Sequence, residues 1–471
     1  MITGMIIGFV IKMIFIYFIA MHGLYLLLIW IGATELKRYH QRIAFGEFQR
    51  ISRSPLSMPV SVVIPAYNEE KMILNTVMNM LRLRYPQHEV IIVNDGSKDR
   101  TLQVLIEHFN LRRIDKVYKK HFETQPIRGF YQSLEYPNLL VIDKENGRRA
   151  DAVNAGLNLV RYPLICQTDA DCVLEEDALL RMARPFLLNS NVIAATAFIR
   201  PSNGIVVDQG RILERGLPKG WLPLFQVVEY LRSFQWARSG LTRLKSMLCM
   251  PGGYTVVRKD IYLKVGGANA KAVVDDFELT VTLHRYVHEH KQEGPLELAY
   301  VPDPGCYTEV PERLRGYASQ RNFWQRAILQ SLIWNRDMAL NPRYGLAGMF
   351  GFPFYFLFEG ISALVEGLAY TMAPIAYFTG KASLTEMVLL FIFGVVLGTF
   401  VSVCAVLMQE RTRMRQAKTR NLIRLLTAGF LEHFGYHQFH VLCRIIGIYD
   451  LLIRHRIVYG FRERHGYQSP V

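Results

Sequence analysis

Tyr162-Pro163-Leu164-Ile165-Cys166-Gln167-Thr168-Asp169-Ala170-Asp171 decides how this chain is read. An apolar, strand-like run stops at two carboxylates that flank one small residue. That arrangement suits a divalent cation held against a diphosphate. Mg²⁺ and Mn²⁺ want hard oxygen ligands and take one or two protein carboxylates, with water and substrate phosphate completing the shell. An isolated Asp-x-Asp is frequent by chance, so its meaning depends on its surroundings.

Working outward, short β-branched runs (Val60-Ser61-Val62-Val63-Ile64, Val90-Ile91-Ile92-Val93, Leu139-Leu140-Val141-Ile142, Leu164-Ile165-Cys166) alternate with helix-like stretches. The alternation predicts an α/β domain with a mostly parallel sheet and crossover helices. Ligands of open α/β sheets sit beyond the carboxyl ends of the strands. The first run ends in Pro65-Ala66-Tyr67-Asn68-Glu69-Glu70 and the second in Asn94-Asp95-Gly96-Ser97-Lys98-Asp99. Asp95 could accept from the imide N–H of a uracil ring; Asn94 to Ser97 could equally be a plain turn whose Ser97 or Asp99 caps the next helix.

Three further stretches carry chemistry. Lys144-Glu145-Asn146-Gly147-Arg148-Arg149 is a basic loop opening a helix, and cations with backbone N–H groups at a helix start suit a diphosphate. Val274-Asp275-Asp276-Phe277-Glu278 either supplies a carboxylate that takes a proton from an attacking hydroxyl or simply stabilises a helix N-terminus. Gln320-Arg321-Asn322-Phe323-Trp324-Gln325-Arg326 could form a floor for a sugar ring or an interfacial aromatic flanked by arginines.

Composition adds a membrane. The 471 residues are 51% hydrophobic with mean hydropathy +0.12, more than a purely soluble chain needs. Met13 to Ile31 is almost wholly apolar and reaches the roughly 20 residues that span a bilayer. No basic stretch precedes it and Lys37-Arg38 follows, which reads as an anchor with a cytosolic flank. Two more apolar stretches, Gly345 to Phe378 and Leu384 to Leu407, form a predicted hairpin that can tilt or break at Pro353 or Pro374. Glu359 and Glu366 lie inside it and are affordable there only facing a bundle interior, a polar path or the interface. Leu422 to Leu442, with Glu432, His433 and His437, reads as either a span or a surface helix. The net charge of +15 concentrates beside these segments, at Arg411 to Arg424 and Arg454 to Arg464, which favours the positive-inside pattern over nucleic-acid binding. The six cysteines form no Cys-x-x-Cys pair, consistent with a reduced compartment. The predicted organisation is a transmembrane anchor over 1–36, a cytosolic α/β domain over 55–340, a transmembrane hairpin over 341–410, and a basic juxtamembrane region with one more membrane or interfacial helix over 411–471.

The ordered set Val62-Val63-Ile64-Pro65-Ala66-Tyr67-Asn68-Glu69, Asn94-Asp95-Gly96-Ser97, Asp169-Ala170-Asp171, Gly252-Gly253 with Arg258, Asp275-Asp276 and Gln320 to Trp324 resembles the membrane-embedded family 2 glycosyltransferases, which include cellulose, hyaluronan, chitin and poly-N-acetylglucosamine synthases. The resemblance implies a GT-A fold with flanking transmembrane helices, inverting transfer from a UDP-sugar, and Mg²⁺ or Mn²⁺ as cofactor. It implies that Pro65, Tyr67, Glu69, Asp95, Arg149 and Asp169 hold the donor, Asp171 the metal, and that Asp276 is the general base. Asp275, Gln320, Arg321, Trp324 and Arg326 would form the acceptor or diphosphate end. Its partners would be a UDP-sugar, a glycan or glycolipid acceptor, the lipid bilayer of an inner membrane and accessory secretion subunits. Two alternatives accompany polymer synthesis: a non-processive transferase acting on a lipid or short acceptor, and a catalytically weak nucleotide-binding subunit of a secretion complex.

Departures from the family pattern are Asn94 for an acidic residue, Arg149 for a phosphate-loop Lys, Val274-Asp275 for Thr-Glu, and Phe323 for the Arg of Gln-x-x-Arg-Trp. At about 100° per residue, Arg326 lies within roughly 60° of position 323 while Arg321 points nearly opposite, so Arg326 is the expected substitute cation.

Overall fold

The computed structural model describes residues 2–44, 57–412, 419–456 and 466–467. Residues 413–418 of the 411–424 basic run, with Arg462 and Arg464, lie outside the described residues. The strands are β1 (Val60–Ala66), β2 (His88–Asp95), β3 (Leu111–Ile114), β4 (Ile127–Ser133), β5 (Leu139–Lys144), β6 (Leu164–Thr168), β7 (Cys172–Leu174), β8 (Val192–Pro201), β9 (Ile205–Asp208), β10 (Arg211–Arg215), β11 (Tyr254–Arg258) and β12 (Glu297–Thr308). Ten form one sheet in the order β3-β4-β5-β2-β1-β6-β11-β8-β12-β7, and β9 and β10 pair separately.

The sheet is mixed rather than mostly parallel. β5, β2, β1 and β6 form a parallel centre. β4 and β11 run antiparallel to that centre on its two sides. The centre carries the near-continuous apolar runs because it is covered on both faces. Val62, Ile64, Val90 and Ile92 pack into one core cluster, and Val63, Ile91, Val93 and Ile165 into another on the opposite face. Strand order reverses between β2-β1 and β1-β6, so the carboxyl ends of the parallel strands open on a crevice at that switch point. Tyr67, Asp95, Lys144 and Asp169 all belong to that edge.

Among the described residues, three helices are long and apolar enough to cross a membrane, judged by length and composition: Gly8–Gln41, Ala347–Phe378 and Leu384–Gln409. The second is not broken at either proline. Pro353 sits at the start of a helical turn and Pro374 lies inside the continuous helix Ser362–Phe378; the break falls at Ile361. π-helical turns, Ala347–Gly351 and Tyr355–Gly360, flank Pro353 and accommodate its missing N–H without a stop. The 422–442 stretch resolves into two helices, Thr419–Leu431 and Tyr436–Leu452, separated by a turn at Gly435 with φ +97°. All six cysteines are free thiols.

The helix Arg148–Leu157 lies tightly on the sheet, because a Cβ at Gly156 would come 2.5 Å from Val63 Cγ1 in β1. Gly156→Val is therefore expected to destabilise the protein by about 1–3 kcal/mol through overpacking, read as a lowered thermal unfolding temperature.

Candidate active site

β2 and β5 are adjacent and in register, with Asp95 opposite Lys144 and Asn94 opposite Asp143. The pairing places Lys144 Nζ 2.7 Å from Asp95 Oδ1, and the same ammonium pairs with Asp151 on the following helix. Lys144 is fully buried, so the two carboxylates neutralise a charge that could not otherwise stay there. Asp95 Oδ1 also accepts from Gly147 N at 2.9 Å, and Asp95 Oδ2 from Asn146 Nδ2 at 3.1 Å. Burial raises the Asp95 pKa above its ordinary value, against Lys144 and the Gly147 N–H, which lower it. Gly96 at φ +65° leaves no room for a Cβ, which would lie 2.8 Å from Asn146 N. The turn after β2 is thus locked to the basic loop rather than being an independent turn.

Arg149 follows one residue into the helix and joins three separate segments. Nε and NH2 donate to Asp169 Oδ1 at 3.0 and 2.8 Å, NH1 donates to both oxygens of Asp275 at 2.5 and 2.6 Å, and NH2 donates to Gly252 O at 3.0 Å. Gly252 is required there: a Cβ would fall 2.6 Å from Arg149 NH2 and 3.1 Å from Asp276 Cβ. Gly252 N in turn donates to Asp276 Oδ2 at 2.8 Å, and Phe277 N to Asp276 Oδ1 at 2.6 Å. Burial, then repulsion from Asp275, pushes the Asp276 carboxyl up to about 6, with Arg149 opposing both. A carboxylate tuned to that value can accept a proton near neutral pH.

Oxygens of Asp169 and Asp171 and Cys172 Sγ lie within 4.8 Å of one another. Two carboxylates on one strand end fit Mg²⁺ or Mn²⁺ by donor type and leave positions for phosphate and water. Burial raises Asp169, with Arg149 lowering it and Asp171 raising it further. A bound cation would relieve that repulsion.

These groups share one cavity of about 910 Å³. Pro65, Tyr67, Glu69, Asp95, Arg149, Asp169, Asp171, Asp275, Asp276, Gln320, Arg321 and Trp324 all line it. Gln320 Oε1 is buried with no hydrogen-bond partner, an acceptor held ready for a ligand donor. Arg326 is a correction. It does approach the Phe323 ring, at 5.4 Å, but its guanidinium bonds Asn322 Oδ1 and the Arg456 carbonyl and does not line the cavity. The cation that faces the cavity from this helix is Arg321, held 2.9 Å from Glu229 and stacked over Trp324 at 4.3 Å. Angular spacing placed Arg326 beside Phe323 correctly, but Glu229 and Trp324, remote or unweighted in that argument, decide which arginine faces inward.

The cavity continues to Tyr25, Tyr355, Glu359 and Arg444, which belong to or pack on the apolar helices. Glu359 Oε1 accepts from Tyr25 OH at 2.5 Å, and Glu366, 3% exposed, pairs with His437 at 2.5 Å. Both carboxylates thus face other helices. Lys144 was visible as the head of the basic loop, although only tertiary pairing shows that it is buried under Asp95. No local motif marks Arg238, which also lines the cavity.

The sequence matches the glycosyl transferase family 2 domain over residues 61–266 and the glycosyl transferase family group 2 domain over residues 164–433, more than half of the chain. Among curated proteins it is similar to a poly-beta-1,6-N-acetyl-D-glucosamine synthase of Staphylococcus epidermidis, 25% identical over 275 residues that cover 58% of this chain and 55% of that protein. It is also similar to the synthase of the same name from Staphylococcus aureus (strain COL), 24% identical over 308 residues, 65% of this chain and 62% of that protein. The match thus spans little more than half the length of these relatives. Among solved structures, a mannosyltransferase from Pyrobaculum calidifontis in complex with GDP-Man and Mn²⁺ aligns over 88% of this chain and 99% of its own, with TM-score 0.50 and 16% identity, a likeness of fold alone. The architecture is accordingly a GT-A-type α/β domain with apolar helices attached.

Lys144→Met leaves Asp95 and Asp151 without their buried cation. Loss of one partner of such a pair costs about 3–5 kcal/mol, and the variant's thermal unfolding temperature should fall accordingly.

Proposed function

The chain belongs to the glycosyl transferase family 2 group, and we propose that it transfers a sugar from a UDP-sugar to a glycan or glycolipid acceptor at the membrane, with inversion and with a divalent cation. The observation that carries the reading is the placement of Asp276, pushed up to about 6, in the same cavity as the Asp169 and Asp171 pair. UDP-glucose and UDP-N-acetylglucosamine are the donors proposed, the second supported by the names of the staphylococcal relatives.

Asp276 takes the proton from an acceptor hydroxyl, whose oxygen forms a bond to the anomeric carbon as the bond from that carbon to the diphosphate oxygen breaks. The displacement is single and the product β-linked. Gly252 N and Phe277 N orient the base. Asp95, with Pro65, Tyr67 and Glu69, holds the nucleoside. Asp169 and Asp171 would hold the cation, which when bound supplies Lewis-acid neutralisation of the departing diphosphate. Arg149 adds a fixed positive charge beside it, so that the charge developing on the leaving group meets a preorganised environment. Gln320, Arg321 and Trp324 line the acceptor end, where ring stacking and amide contacts position the hydroxyl.

Topology follows the charges: the α/β domain faces the cytosol at an inner membrane, with the spans near 347 and 384 forming a hairpin. Phe323 on the cavity wall removes a family cation and favours a short product, on a lipid or small acceptor, over a long chain.

Full-length protein in nanodiscs, given a panel of UDP-sugars with Mn²⁺ or Mg²⁺, should release UDP with one donor. Asp276→Asn should slow release by about 10²–10⁴-fold, the usual worth of a general base, and near-parental turnover would remove Asp276 from that role. The parental rate should climb with pH through about 6 and level off above it, because the base acts deprotonated. Arg149→Gln should move that rise to higher pH, since Arg149 is the group holding the carboxyl down. Asp171→Ala should abolish Mn²⁺ binding measured by electron paramagnetic resonance; unchanged Mn²⁺ binding would exclude the assigned site.

A further inference from the structure

The other arginines of the cavity wall, the exposed Arg148 apart, have a carboxylate or a set of oxygen acceptors. Arg149 is shared by Asp169 and Asp275, Arg321 is paired with Glu229, and Arg444 donates to Gln325 Oε1 and the Glu359 carbonyl. Arg238 differs. It is 9% exposed, NH1 is buried with no partner, and its one hydrogen bond among the described residues runs from NH2 to Cys249 Sγ at 3.3 Å. Its guanidinium carbon lies over Phe234, 3.8 Å from the ring centroid. Thiol sulfur is a weak acceptor and a ring face attracts the charge without filling its hydrogen-bonding directions, so the guanidinium keeps a buried N–H group with no partner. A buried donor in that state is costly unless a ligand completes it.

The position indicates which ligand. Arg238 begins the helix Arg238–Arg243, which packs against the first apolar helix so closely that a Cβ at Gly240 would meet Leu28 O at 2.5 Å. Phe234, Cys249 and Tyr355 stand near it on the cavity wall, and Asp276 is within its electrostatic reach. The donor-side cation, Arg149, stands with Asp169 at the end of β6. Arg238 therefore belongs to the part of the cavity wall that packs on the apolar helices, on a different element from the groups at the end of β6.

We propose that Arg238 binds an oxyanion, phosphate or carboxylate, carried by the acceptor, so that the acceptor is anionic rather than a neutral glycan. A guanidinium fork recognises either oxyanion in bidentate fashion, and the contact with Phe234 holds the group in position. The anion would sit where its charge is balanced by Arg238 while the acceptor hydroxyl reaches Asp276. This inference rests on the proposed transfer to a hydroxyl in this cavity.

The test uses full-length protein in phosphatidylcholine nanodiscs and measures binding, not turnover. Decyl phosphate, decyl glucuronide and decyl glucoside share a tail and differ in headgroup; UDP with Mn²⁺ is titrated separately. One of the two anionic amphiphiles should bind about tenfold or more tighter than decyl glucoside, and which one does separates a lipid phosphate from an acidic sugar. Inorganic phosphate alone should compete if the phosphate is the determinant. Arg238→Gln should erase the preference, Arg238→Lys should retain part of it, and UDP affinity should stay unchanged in both. The thermal unfolding temperature of ligand-free Arg238→Gln should not fall, because the substitution removes a buried N–H group that has no partner. No anionic preference in the parent, a preference that survives Arg238→Gln, or a parallel loss of UDP affinity would each overturn the proposal. A fall in unfolding temperature shared by Arg238→Gln and Arg238→Lys would also overturn it by making the residue structural. Absence of UDP binding in the parent would instead defeat the donor assignment, which the amphiphile titrations do not depend on.

Discussion

The Arg149 guanidinium is the interaction on which the site depends. Four carboxylates, those of Asp169, Asp171, Asp275 and Asp276, line one cavity, and they reach it from the end of β6 and the start of the helix Asp275–Glu289. Without a cation among them their mutual repulsion would splay these segments. Arg149 satisfies Asp169 and Asp275 directly and holds the Gly252 carbonyl, so the Gly252 N–H is aimed at Asp276. One side chain thereby sets the spacing between the proposed cation site and the proposed base. Burial, with residual repulsion from Asp275, leaves the Asp276 carboxyl near 6, and burial with repulsion from Asp171 raises Asp169, where a divalent ion would remove the repulsion.

A second buried cation supports the first. Lys144 ties β5 to Asp95 in β2 and to Asp151 one turn into the helix that carries Arg149. The helix is further pressed onto β1 at Gly156. Arg149 can therefore be placed accurately because its helix has little freedom to tilt. Preorganisation of this kind is what electrostatic stabilisation of a departing diphosphate demands, since a charge that must first move into place contributes less.

The far wall of the cavity is made by a different class of element. Tyr25, Tyr355 and Glu359 come from helices apolar enough to cross a membrane, and their polar groups turn inward: Tyr25 to Glu359, Glu366 to His437. Polar atoms that could not be tolerated against lipid are satisfied against one another. One side of the cavity is thus built by sheet geometry and the other by helix packing, and Asp276 lines the same cavity. On the proposed reading the first side takes the donor and the second the acceptor, which is why the unpartnered N–H of Arg238 on the second side is assigned to the acceptor.

Much of this was legible in the order of residues. Strands buried on both faces must be apolar throughout, so Val60 to Ile64 and Val90 to Val93 announce themselves, and parallel strands deliver their carboxyl ends to one edge, so Asp95 and Asp169 had to lie near each other. Those are consequences of local chemistry and of a pattern of period and order. What the tertiary structure alone decided concerns direction and partnership. Whether a helix position looks inward depends on what packs beside it: Glu229 and Trp324 turn Arg321 to the cavity, while Asn322 and the Arg456 carbonyl hold Arg326 away. The break at Ile361 rather than at a proline follows from π-helical turns that absorb Pro353. Lys144 and Arg238 are both basic letters in the sequence; one is doubly paired and the other keeps a buried N–H without a partner because partnership in a low-dielectric interior is set by atoms far apart along the chain.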